Sequence, residues 1–79
     1  MEFNMYEAFS VTLGEALLEM AIEAKSQQKA SMGTEREDFQ TGYLSAFHRV
    51  ITLMQQQADI FDIPLKNIGL DKVNESDLI

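Results

Sequence analysis

Gly33 and Thr34 are the feature that most limits what this chain can fold into. Glycine readily takes the left-handed conformation that ends a helix. Thr34-Glu35-Arg36-Glu37 then has the spacing of a capping box, with the threonine oxygen accepting the N3 amide hydrogen. Glu35, Glu37 and Asp38 place negative charge at the positive end of the helix that follows. A stop followed at once by a start leaves only a few connecting residues, so the flanking helices must be antiparallel neighbours.

Both flanks carry the helical period. Before the break, Phe9, Leu13, Ala16, Leu17, Met20, Ala21 and Ala24 recur at steps of three and four, with no proline and only Gly14 to weaken the run. Asn4 with Glu7 is the favoured start, and Lys25 and Lys29 complement the negative helix end. After the break, Phe39, Tyr43, Ala46, Phe47, Val50, Met54, Ala58 and Phe61 form the main apolar face, and Pro64 ends the helix. The chain therefore reads as an all-α antiparallel helical hairpin, with helices at about 4–32 and 35–61 and a short C-terminal turn ahead of Gly69. Residues 1–70 make one domain, and the polar residues 71–79 form a frayed tail.

Residues equidistant from Gly33 are expected to face each other. The small Ala21, Ala24, Gly42 and Ala46 then allow close backbone approach near the turn. Phe3, Tyr6, Phe9 and Phe61 gather as an aromatic layer at the open end.

Each helix is apolar over more than one stripe, and a two-helix hairpin has use for only one. Val11, Leu18 and Ile22 lie off the main line of the first helix, and Leu44, Ile51 and Leu53 lie off that of the second. These six are the candidate dimer or partner interface. A chain of 79 residues has a marginal core, and without cysteine it has no disulfide or thiolate metal site to reinforce it. The C-terminal Ile63, Leu65, Ile68, Leu70 and Val73 reach only part of such long helices, and a different protein is the third possible cover. The preferred cover is a second copy, which converts the hairpin into a four-helix bundle.

The chemistry-bearing groups are sparse. Glu15, Glu19 and Glu23 form a carboxylate row, with His48 and Arg49 expected at the same height on the second helix. A di-iron carboxylate bundle needs a Glu-x-x-His pair, which this sequence lacks, so the row reads as a solvated edge paired loosely with His48 and Arg49. Glu19, His48 and Arg49 are the candidate polar interface. Glu35 and Asp38 have a Glu-x-x-Asp spacing that suits magnesium chemistry on nucleotides, but the helix dipole accounts for them and the Glu-x-x-Glu partner is missing. No catalytic, cofactor or metal residues are assigned.

The formal net charge of −7 repels phosphate backbones and argues against direct nucleic-acid binding. No apolar run is long enough to span a bilayer, and residues 1–4 lack a secretory start, so the expected location is cytoplasmic. The expected function is that of a non-enzymatic, homodimeric protein-interaction factor. The alternatives are a magnesium-dependent all-α enzyme acting on nucleotides and an acidic mimic of nucleic acid.

Overall fold

The computed structural model describes residues 4–74. They form two long helices, α1 (Met5–Ala30) and α2 (Glu37–Ile60), followed by one turn of 3-10 helix, Leu65–Ile68. The fold is the expected all-α hairpin, with each helix two residues shorter at the turn. Asn4 caps α1 as anticipated, its Oδ1 accepting from the amides of Tyr6 (2.9 Å) and Glu7 (3.2 Å). Gly33 is left-handed at φ +82°. The capping box is displaced by a step, because α2 starts at Glu37 rather than Glu35. Thr34 Oγ1 accepts from the Arg36 amide at 3.2 Å, and the Glu37 carboxylate reaches back to the Gly33 amide at 3.4 Å. A hydrogen bond from Gln28 Nε2 to Thr41 Oγ1 (3.4 Å) centres the register between Thr34 and Glu35 rather than on Gly33.

The other end of α2 closes with paired backbone bonds. Ile63 N donates to the Ala58 carbonyl (2.8 Å) and Asp62 N to that of Asp59 (3.2 Å), a Schellman closure. Its left-handed position is held by Asp62 at φ +55°, without a glycine. The 3-10 turn closes the same way, with Leu70 N donating to Leu65 and Gly69 N to Lys66, and with Gly69 at φ +72°. These two reversals bring residues 65–73 back along the hairpin as a strap.

The strap lies backbone to backbone on α1. A Cβ built on Gly14 falls on the carbonyl oxygen of Ile68, and one built on Gly69 falls on that of Val11. The approach places Leu70, 1% exposed, against Ala21 and Ile51, and Phe47, Met54, Ile68 and Val73 pack around this centre. Val73 packs against this centre, so residues 71–73 of the expected frayed tail belong to the strap; residues 75–79 lie outside the described residues.

The helix–helix contact keeps Ala21, Ala24 and Ala58 of the expected faces, but on α2 it turns in Leu44 and Ile51 and leaves Phe39, Tyr43 and Val50 outside. It is made by Ala21 and Ala24 of α1 with Leu44, Ile51 and Ala58 of α2. Gly42 has nothing within 4 Å of a built Cβ, and Ala46 is exposed, so neither sits in the contact. The aromatic layer is also absent among the described residues: Tyr6, Phe9 and Phe61 are exposed, and Phe3 lies outside them. Small residues win the contact because they let the helix axes approach, which leaves bulky rings on the flank.

The result is elongated, 51 × 22 × 16 Å, with a radius of gyration of 14.3 Å. A compact chain of this length would have about 11.6 Å.

Two glycine substitutions should separate the strap contact from helix propensity. Gly14→Ala is expected to lose roughly 1–3 kcal/mol of stability by forcing the strap off α1. Gly42→Ala, in open space within a helix, should gain up to about 1 kcal/mol. Urea unfolding of both variants measures this, and equal effects would contradict the strap geometry. Asp62→Gly should stabilise by about 1 kcal/mol, since it relieves a left-handed non-glycine residue; the midpoint of the same titration reads it.

Candidate functional site

The six candidate interface residues do not form one surface. Leu44 (4% exposed) and Ile51 (0%) are core residues of the single chain, so they offer nothing to a partner. They sit on the line of α2 that faces Ala21 and the strap, which is the cover the sequence reading assigned elsewhere. Val11, Leu18 and Ile22 lie on the strap side. Leu18 and Ile22 border a crevice with Lys66, Gly69 and Lys72, and the Val11 carbonyl approaches Gly69. Leu53 is on the outer side of α2, beside Arg49 and Thr52.

The polar candidates separate in the same way. Glu19 stands with Glu15 near Lys66 and Lys72, whereas His48 and Arg49 share the outer surface of α2 with Gly42 and Gln56. Glu19 therefore does not meet His48 or Arg49, which corrects the expected pairing. Among the described residues, no group of three His, Cys, Asp or Glu side chains is arranged to hold a metal ion. Glu23 instead accepts a long hydrogen bond from Gln27 Nε2 at 3.5 Å.

The surface that does assemble is the flank opposite the strap. At 100° per residue, Phe39, Tyr43, Val50 and Phe61 fall within about 40° of one another on α2, and Phe9, Leu13 and Met20 do so on α1. All seven are more than 40% exposed. They lie on one broad face, where Met20 and Tyr43 line the same crevice with Glu23, Ala24 and Gln27. On α1 this face lies to one side of the buried Ala21, and Leu18 and Ile22 lie to the other.

The α2 half of the face is an aromatic ladder. The rings of Phe39 and Tyr43 stack with centroids 6.2 Å apart, and Tyr43 meets Phe47 edge-on at 5.0 Å. Such offset and edge-to-face arrangements are the favoured ones. Among the described residues, the flank holds no charged side chain except Glu23 at its rim, although the full chain carries 13 acids and 6 bases. Helical position turns Glu7, Glu15 and Glu19 of α1 and Arg49 and Asp59 of α2 away from it.

One polar group stands apart. Gln40 is buried on the inward line of α2, and its Oε1 accepts no hydrogen bond. The oxygen is sealed from solvent, so no ligand reaches it, and its desolvation costs stability near the turn.

Sequence reasoning named most of the flank's residues but took them for core. The available signal was size: the alanines and Gly14 mark where helices and strap approach, and the rings mark where they do not. Among the described residues, no helix is long and apolar enough to cross a membrane. Comparison of the chain with protein-family models, with curated proteins and with solved structures finds no match.

Because Glu19 and Arg49 stand on separate surfaces, Glu19→Gln and Arg49→Ala should each change stability by less than about 0.5 kcal/mol. A double-mutant cycle read by urea unfolding should show additivity. A coupling well above that level would restore the ion pair.

Proposed function

We propose that the chain is a non-enzymatic helical interaction protein of the cytoplasm, serving as an accessory or regulatory factor and working as a homodimer through its open apolar flank. The observation that carries this reading is the flank itself: seven large, exposed apolar side chains on one side of both helices, with Glu23 at the rim as its charged group among the described residues. Depletion of charge around exposed aromatic groups is the composition of an interface centre.

The elongated chain exposes 6031 Å², whereas a compact protein of its mass would expose about 4,850 Å². Each large side chain withdrawn from water contributes roughly 1.5–3 kcal/mol.

A second copy suits this flank in its charge. Two chains of net charge −7 repel each other, and pairing through the face that lacks charge keeps their acids as far apart as the fold allows. The product is a four-helix bundle with both straps outward.

Light scattering over a wide concentration range should give twice the 9.0 kDa of one chain. Tyr43→Lys should shift the mass toward a single chain while leaving the helical circular dichroism in place, because Tyr43 is exposed. Ile22→Lys, on the strap side, should leave the dimer intact. A single-chain mass at every concentration, or dissociation by Ile22→Lys alone, would overturn the proposal.

A further inference from the structure

We infer that the strap is a latch. Residues 65–73 swing off the hairpin as one body, about a hinge at Ile63 and Pro64, while α1 and α2 stay paired. The latch is on the side away from the apolar flank, so it does not depend on the dimer reading.

The hydrogen bonds divide the chain at that hinge. Asp62 N and Ile63 N donate backwards, to the carbonyls of Asp59 and Ala58, and so belong to the end of α2. Asn67 N, Gly69 N and Leu70 N donate to the carbonyls of Pro64, Lys66 and Leu65, and so belong to the strap. Pro64 has no amide hydrogen to offer across the boundary. Among the described residues, no backbone or side-chain hydrogen bond joins residues 65–73 to either helix.

Apolar contact is what holds the strap. Leu70 is buried against Ala21 and Ile51, and Ile68 and Val73 pack around them. The Ile68 carbonyl oxygen stands where a Gly14 side chain would, and the Val11 carbonyl oxygen where a Gly69 side chain would. A carbonyl oxygen facing a Cα hydrogen is only weakly held. Lys66 and Lys72 share the strap crevice with Glu15 and Glu19, but all four are exposed, and exposed charges in water bind loosely.

The helices hold each other separately. Ala24, Leu44 and Ala58 are buried along their contact without belonging to the centre under Leu70. A unit that shares no hydrogen bond with its neighbours and rests on a few apolar side chains opens below global unfolding. The open form is a minor one, because it returns Ala21 and Ile51 to water. Its consequence is conditional access: Ala21 and Ile51 then join Leu18 and Ile22, which already border the crevice, in one apolar strip.

The chain has no cysteine, so a single buried thiol reports opening. Ala21 lies under the strap and Ala24 between the helices, at 0% and 1% exposure. Each variant's rate is divided by its rate in the urea-unfolded chain. On that scale Ala21→Cys should react with iodoacetamide about tenfold or more faster than Ala24→Cys, with a shallower dependence on urea. Leu44→Ala weakens a contact that the closed and open forms share. It should therefore speed Ala24→Cys and leave Ala21→Cys unchanged. Equal normalised rates with one urea slope at both positions would overturn the latch, since the strap then leaves only when the whole fold does. A second measurement needs no substitution. Trypsin acting on the parent should cut at Lys66 before Lys25, Lys29 and Arg49 of the helices. Helical cuts that keep pace with Lys66 would equally overturn the latch.

Discussion

The fold depends on one close approach: the backbone of Ile68 and Gly69 resting on the backbone of α1 at Gly14. No side chain fits at either glycine, so the contact leaves little room for variation at those two positions. Because the strap lies that close, Leu70 reaches Ala21 and Ile51 and completes a core that two helices alone would leave open. The strap also sets the asymmetry of the molecule. It closes one side of the hairpin, and the opposite flank keeps its aromatic side chains in water.

That asymmetry organises the electrostatics. The acids of α1 stand on the strap side and the back, next to Lys66 and Lys72 at one end, while the open flank is free of charge apart from its rim. A marginal core centred on Ala21, Ile51 and Leu70 explains why such a chain benefits from a cover, and the position of the charges explains why a second acidic copy is an acceptable one. The bundle proposed here buries the ladder of Phe39, Tyr43 and Phe47 without bringing carboxylates together.

Local structure was legible in the sequence, and the inward stripe was not. Asn4 acts through its own side-chain oxygen, and Gly33 and Pro64 through their own backbone geometry, so their roles follow from residue type. Choosing between two apolar stripes on one helix is a long-range question. Phe39, Tyr43 and Val50 carry the helical period over a longer stretch than Leu44 and Ile51, so period alone suggested them as core. Close packing favoured the other line, because the facing helix presents Ala21 and Ala24 there and the strap presents Leu70. Gly14 held the missing signal. A glycine inside a good helix former costs stability, and its reason here is the strap at Gly69, 55 residues further along the chain. Glu19, His48 and Arg49 were misgrouped for a related cause: rotating each helix to its true inward line carries them to different surfaces.

The central claim is that one side of the hairpin is closed by its own strap and the other by a second copy. Hydroxyl-radical footprinting of the parent protein across a dilution series tests it most directly, since it reads side-chain exposure residue by residue. Oxidation of Phe39, Tyr43, Met20 and Phe61 should fall as concentration rises, while Leu18 and Ile22 stay constant. Protection that grows at Leu18 and Ile22, or no dependence on concentration at Tyr43 and Met20, would contradict the account.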